Sequence, residues 1–318
     1  MGLTEYQVKL SRLVVNRSAG RTSPHKVCML LAVLDLARAG ALKQNRILFA
    51  PPLLERYNTL FAAVRAPGDH PNPYFPFFHL AGRLRGGDAS FWHLSPLPGR
   101  EAVLAAMSTA RGTTDITANI AFADLDQELF ELLQDPVNVE ALAESVTTYW
   151  LDRGLQELRV VAASSGQSSV YERRLRSGDA AGVTEQAPPE YVRSPAFRRL
   201  VTEVYDYRCA ATGVRILLPT GEAMVEAAHI HPFAQAGDDD PRNGLALTPD
   251  MHWAMDKFLI APGPDLRWHV SEDLDDRVPD YERFVALRGR SLLLPPERRH
   301  APKESSLAWR LERLRRAT

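Results

Sequence analysis

The stretch AAHIHPFAQAGDDDPRNGLALTPDMHWAMD, residues 227–256, decides how the C-terminal part of this chain folds and what chemistry it can hold. It gathers three histidines (His229, His231 and His252), Asn243 inside Arg-Asn-Gly, and Asp256. EAMVEAAHI, ended by Pro232, reads as a strand, and the polar run from Asp238 to Asn243 reads as a loop. TPDMHWAMDKFLI, opened by Thr248-Pro249, reads as a helix. On that helix His252 and Asp256 stand four residues apart, so their side chains share a face and can grip one cation. His229, at the strand end, is expected to project toward the same place once strand and helix pack together.

Phosphodiester hydrolysis needs these parts. A neutral imidazole at His229 takes a proton from water near neutral pH. A divalent ion held by His252 and Asp256 stabilises charge at the phosphorus centre and on the departing 3′ oxygen. Asn243 is expected to hold the loop, and with it the orientation of the histidine, by hydrogen bonds. Taken singly, each histidine is more often a buried or capping residue, and an Asn-Gly pair more often an ordinary turn. It is the ordered set that carries meaning.

Working outward, 318 residues with 45% hydrophobic and 24% charged composition suit two domains with separate cores. There is no run of eighteen apolar residues, and the start MGLTEYQVKL lacks the apolar stretch of a signal peptide. Neither a membrane span nor export is indicated, so a cytoplasmic protein is expected. Two cysteines, Cys28 and Cys209, exclude a disulfide framework and a four-cysteine zinc site. Both are expected to be small buried side chains. Lys+Arg 38 against Asp+Glu 39 argues, on bulk charge alone, against a dedicated nucleic-acid binder. The distribution is uneven, however: residues 1–50 carry eight Lys/Arg against Glu5 and Asp35, and residues 101–150 carry nine acids against Arg111. That split leaves room for a basic face on a neutral chain.

HKVCMLLAVLDLARAGAL, between Ser23-Pro24 and Gly40, predicts a buried helix with His25 and Lys26 at its N-terminus. RILFAPPLLERYNTLFAAV predicts a short strand, a proline break and a second helix, while FHLAGR and SFWHLSP are expected to pair as strands around Arg-Gly-Gly-Asp. FADLDQELFELLQ and VEALAESVTTYWLDRGL read as acidic amphipathic helices. Residues 161–190, poor in large apolar groups and rich in Ala, Ser, Gly and Pro, read as an exposed connector. The expected domains are therefore 1–160, a linker 161–190, and 191–318. The last opens with a helix capped at Ser194 and ends in the basic amphipathic helix ESSLAWRLERLRR. The fold class is α+β: a mostly helical N-terminal domain with a small sheet, followed by a C-terminal strand–strand–helix unit.

YRCAATG, EAAHIHP, NGLAL and HWAMDKFLI, in that order and at that spacing, resemble the HNH family of nucleases with the ββα-metal fold, over roughly residues 193–310 and including GRSLLLP. The resemblance implies that His229 is the general base, Asn243 the middle Asn, His252 the metal-binding last His and Asp256 a second ligand, with Mg²⁺ or Mn²⁺ as the ion. Many family members place Asp or His immediately before the base, where this chain has Ala228. Glu226, two residues earlier and on the same strand face, is the expected substitute, ahead of His231.

SPHKVCMLLAVL, NPYFPFFHLAG and FWHL resemble the sulfur-binding domain that precedes HNH units in type IV, modification-dependent restriction endonucleases, which recognise phosphorothioate DNA in phage defence; the likeness spans roughly residues 5–155. It implies modified double-stranded DNA as the partner. Sulfur is larger and less strongly hydrated than oxygen, so a shallow apolar pocket beside cations can prefer it. Phe75, Pro76 and His79 are the expected wall, His25 and Lys26 the donors and charge at a helix N-terminus, and Arg17 and Arg21 contacts to neighbouring phosphates. The chain departs from the pattern at Lys26, where Arg is usual, at Phe75, where Tyr is usual, and at His79, where a small residue is usual. Another modification, unmodified DNA, or a DNA-binding protein with a degenerate HNH unit are the alternatives. One HNH centre cuts one strand, so a double-strand break calls for a homodimer.

Overall fold

The computed structural model describes residues 2–18, 21–151, 157–178 and 187–315. The chain divides into two compact units, Met1–Arg173 with Pro219–Glu222, and Arg174–Leu218 with Ala223–Thr318.

In the first unit the elements run α1 (Leu3–Ser11), β1 (Arg17–Ser18), β2 (Arg21–Thr22), α2 (His25–Arg38), α3 (Pro51–Val64), α4 (Tyr74–His79), β3 (Trp92–Pro96), α5 (Glu101–Ala106), α6 (Thr113–Asn119), β4 (Ile120–Leu125), α7 (Gln127–Leu132), α8 (Pro136–Leu151) and α9 (Leu158–Ser177). The last of these helices runs across the division between the units. Helix α2 is apolar around its whole circumference, and every residue from Val27 to Arg38 is buried, which makes it the central helix of the core. Gly40, at φ 65°, turns the chain away from its C-terminus. Pro51 and Pro52 open α3, which buries Leu53, Tyr57, Leu60, Phe61 and Val64 at helical spacing.

Three expectations are corrected. FHLAGR is the end of α4 and the turn after it; β3 instead pairs antiparallel with β4, with Trp92 opposite Leu125. That strand lies in the stretch expected to be helical. Ala123 exchanges both backbone hydrogen bonds with Ile47, so the strand is created by partners far away in sequence. The expected connector is helical through Ser177, and α9 buries Ala162, Ser168, Ser169, Tyr171, Glu172 and Leu175. Its small residues permit close approach: a Cβ at Gly166 would lie 2.9 Å from Arg38 Nη1. Arg38 in turn donates to Asp35 and to both oxygens of Glu140, at 2.8 Å each, and Ser165 donates to Asp35. Arg56 and Glu172, both buried, pair at 2.7 Å and tie α9 to α3. Residues 179–186 of the expected connector lie outside the described residues.

The second unit holds α10 (Glu190–Val204), β5 (Glu226–His229), α11 (Phe233–Ala236), β6 (Gly244–Leu247), α12 (Pro249–Asp256), β7 (Ile260–Pro262), β8 (Trp268–Val270), α13 (Glu282–Val285) and α14 (Glu304–Glu312). Helix α10 begins at Glu190 rather than after Ser194 and carries Pro195 inside it, so one intrahelical bond, to the carbonyl of the exposed Tyr191, is forgone. β5 and β6 pair antiparallel with Glu226 opposite Leu247 and His229 opposite Gly244. Both α10 and α12 pack on this hairpin, around Leu245, Ala246, Leu247, Met251 and Met255. As expected, Thr248-Pro249 opens α12. Both cysteines are buried and unpaired, and Cys209 Sγ accepts from the Thr248 amide at 3.4 Å. Among the described residues no helix is long and apolar enough to cross a membrane.

Candidate active site

His229 is the last residue of β5, and its surroundings are set by the residue opposite. Gly244 has an extended φ of −130°, so it is not there for a left-handed turn. A Cβ at this position would stand 2.6 Å from Val201 Cγ2 and 2.8 Å from Phe197 Cζ. Its absence lets α10 approach, and Phe197 then lies flat on the His229 ring, with centroids 3.8 Å apart and planes 2° apart. His229 Nε2 is 2.8 Å from Asp239 Oδ1. The Asp239 side chain is wholly buried and accepts from Arg193 Nη1 at 3.0 Å on each oxygen. Arg193 also lies over the Phe233 ring at 3.3 Å. Among the described residues Nδ1 of His229 has no hydrogen-bond partner.

Asn243 is fully buried. Its Nδ2 donates to the carbonyls of His231 (2.8 Å) and Asp238 (3.0 Å), and its Oδ1 accepts from the His231 amide (3.0 Å). It thus closes both ends of the 231–242 loop, and so acts on the loop that carries Asp239 rather than on the His229 ring itself.

A second clamp comes from far along the chain. Arg310 of α14, 1% exposed, donates to the carbonyls of Ile230 (2.6 Å), His229 (2.9 Å) and Met255 (3.1 Å). One guanidinium therefore fixes the end of β5 to the end of α12. Burial pushes this group down to about 10, so it stays charged at neutral pH.

His252 stands between Glu226 and Asp256, the three residues expected to hold one cation. His252 Nδ1 is 3.0 Å from Glu226 Oε2, and His252 Nε2 is 3.4 Å from Asp256 Oδ2. The two carboxylates lie at different edges of the imidazole, so an ion on either nitrogen meets one carboxylate directly, and all three donors do not surround one point. Among the described residues no group of three or more His, Cys, Asp or Glu is arranged as a ready coordination sphere. The donor set nevertheless suits a hard divalent ion. Neither carboxylate forms a salt bridge with Lys or Arg among the described residues, although Arg310 lies near enough to Asp256 to interact with its charge. His229 does not join this set. It shares a face with Gly244 toward α10, whereas Glu226 faces α12, so the two groups flank the end of β5.

In the first unit, His25, Lys26, Phe75, Pro76 and His79 line a single pocket of about 430 Å³, together with Val14, Val15, Asn16, Ser23 and Asn72. His25 differs from the expected donor. Its Nε2 donates to the His70 carbonyl (2.9 Å) and its Nδ1 accepts from Ser23 (2.8 Å), so both nitrogens are engaged; burial lowers its pKa. His79 pairs with Thr109 at 3.0 Å and stacks on Phe75, with burial and the nearby Lys26 lowering its pKa. Lys26 has no hydrogen bond or ion pair among the described residues, and burial pulls it down to about 8. Arg17 and Arg21 sit in β1 and β2, and their side chains lie outside the described residues.

Three residues that sequence reasoning missed now belong to the description: Asp239, Arg193 and Arg310. His231 stacks on Trp309 at 4.0 Å and takes no part in the Glu226–His252–Asp256 set. His269 pairs locally with Asp265 at 3.0 Å.

The HNH endonuclease family model HNH_2 matches residues 209–261, which span the β5–β6 hairpin and α12. No curated protein matches the chain. A solved structure titled "Modification dependent TagI restriction endonuclease" is 22% identical, with a TM-score of 0.31, over 41% of this chain and 40% of that one. The chain therefore spans less than half the length of that structure. An HNH endonuclease domain thus lies near the C-terminus of this chain, at residues 209–261.

Proposed function

We propose that this chain is a metal-dependent, modification-dependent DNA endonuclease of restriction type, whose N-terminal pocket takes a phosphorothioate. One observation carries the reading. An imidazole with one nitrogen tied to a buried carboxylate and the other without a hydrogen bond among the described residues stands at a strand end, three residues beyond Glu226 of a carboxylate–imidazole–carboxylate set. Glu226, His252 and Asp256 are the residues that would hold Mg²⁺ or Mn²⁺, His252 with one carboxylate directly and the other after a side-chain rotation. When bound, such an ion supplies positive charge beside the phosphate and the departing 3′ oxygen. His229 takes the proton from the attacking water, and Asn243 and Arg310 keep its backbone in place. The substrate phosphate lies across the end of β5, since the groups acting on it stand on either side of that strand.

In the N-terminal pocket Lys26 supplies the charge, and Phe75, Pro76 and the faces of His79 and His25 form the weakly hydrated wall that favours sulfur over oxygen. The test uses the full chain on matched supercoiled plasmids, with and without phosphorothioate, in Mg²⁺ or Mn²⁺. The phosphorothioated plasmid is expected to be cut, and His229→Ala to slow cutting by about 10²–10⁴-fold. Cutting of both plasmids alike would remove the sulfur preference, and no cutting of either with any divalent ion would remove the metal-dependent reading. The split placement of Glu226 and Asp256, with Ala228 beside the base, favours one second reading, a DNA binder with a degenerate centre. Metal-independent retention of DNA on a filter without nicking is its signature. A double-strand break by single-strand centres calls for two copies, which light scattering in the presence of DNA checks.

A further inference from the structure

We propose that Asp239 is the positioning carboxylate of His229: it holds the imidazole with its proton on Nε2, so that Nδ1 is the nitrogen facing the attacking water, and Arg193 holds Asp239 in turn. This inference rests on the nuclease reading and adds to it a chain of three side chains and the identity of the basic atom.

The geometry leaves the ring little freedom. A carboxylate has no hydrogen to give, so the 2.8 Å contact between Nε2 and Asp239 Oδ1 requires the proton to sit on Nε2. Neutral imidazole carries one ring proton, so Nδ1 then bears the lone pair. Phe197, parallel at 3.8 Å, fixes the plane of the ring. Arg193 contacts both Asp239 oxygens, and its own swing is limited by the Phe233 ring beneath it. Both contacts hold the carboxylate in one orientation, with Oδ1 turned toward His229 Nε2.

The consequence for the reaction is specific. An O–H bond of water breaks and its proton goes to Nδ1, while the water oxygen forms the new bond to phosphorus. The bond from phosphorus to the 3′ oxygen breaks and its electron pair leaves with that oxygen, which solvent protonates. The ring then carries a positive charge, stabilised by the Asp239 carboxylate already in place. Asp239 touches neither water nor phosphate and acts only through His229.

The experiment reads the tautomer on the resting full-length protein by ¹⁵N imidazole NMR, with the His229 signals identified by their loss in His229→Gln. The Nε2–H form is expected in the parent protein, and a mixture of forms in Asp239→Asn. Cleavage by Asp239→Asn is expected to fall about 10²-fold in kcat with KM within about twofold, and Asp239→Glu to recover part of the loss. Because Asp239→Asn strands the charge of Arg193, the double variant Asp239→Asn/Arg193→Gln supplies the same split without a buried unpaired cation. An Nδ1–H form in the parent, or a folded variant with unchanged kcat, overturns the proposal. The tautomer is read without any cleavage, so it stands or falls separately from nuclease activity.

Discussion

Around His229 the buried charges have partners: Asp239 with Arg193, and Arg310 with three carbonyls. Around Lys26 the histidines are occupied, His25 between the Ser23 hydroxyl and the His70 carbonyl and His79 on Thr109, while the ammonium itself has no partner among the described residues. The first arrangement spends its hydrogen bonds on fixing where atoms stand. The second leaves a charge beside Phe75 and Pro76, in surroundings that lower its pKa, as a place ready to exchange water for an anion would be. The two places thus differ in which group is left unsatisfied: one ring nitrogen in the former, one cation in the latter.

The sharpest way to break this contrast is at the paired end. Arg310→Met removes the side-chain donor from three carbonyls, of which that of Met255 still accepts from the Phe258 amide, and unfolding in urea is expected to show a loss of about 3 kcal/mol, of which Arg310→Lys restores part. Parent-like stability of Arg310→Met would show that the pairing around His229 contributes nothing to holding the fold. Gly244→Ala comes next. Its Cβ has no room against Phe197 and Val201, and the expected cost is about 2 kcal/mol in thermal or chemical unfolding, with slower cleavage as Phe197 leaves the His229 face. Unchanged stability and rate would mean that α10 yields without disturbing the base.

At the unpaired end the expected effect is smallest and of opposite sign. Lys26→Met removes an unneutralised ammonium and is expected to leave stability unchanged or raise it by up to about 1 kcal/mol. The lowered pKa fixes the pH dependence. Above about 8 the folded chain has released the Lys26 proton, while the unfolded chain holds it up to the ordinary lysine range. Lys26 therefore makes stability rise with pH across that window, and Lys26→Met flattens the rise. Binding of anionic DNA has the other sign, since the ammonium is the binding form, and affinity measured by fluorescence anisotropy is expected to fall through the same window. A pH dependence identical in Lys26→Met would remove Lys26 from the site.

Much of this was legible in the sequence where residue type and spacing act locally. Thr248-Pro249 announced α12, the i, i+4 spacing brought His252 to Asp256, and Glu226 could be picked from the strand face it shares with Ala228. The gathering of His25, Lys26, Phe75, Pro76 and His79 was legible only through a resemblance, because residues in α2 and α4 carry no local sign of meeting. Three consecutive acids, Asp238 to Asp240, gave no hint of which one turns inward; that is decided by Arg193, 46 residues from Asp239. Strand β4 was hidden because its alternation runs directly into α7 and its partners, Ile47 and β3, lie far away. Helix α9 was read as a connector because small residues suit a loop as well as they suit a helix lying close to a buried arginine.

The reach of Arg310 bears on the order in which the protein is made. His229 leaves the ribosome 81 residues ahead of the guanidinium that pins its carbonyl, a delay of roughly 4–16 s at ordinary rates of elongation. Over that interval residues 1–173 of the first unit have already emerged, while the end of β5 still lacks the guanidinium that holds its carbonyl. The strand end that carries the proposed base therefore gains this part of its frame only once α14 is out of the ribosome.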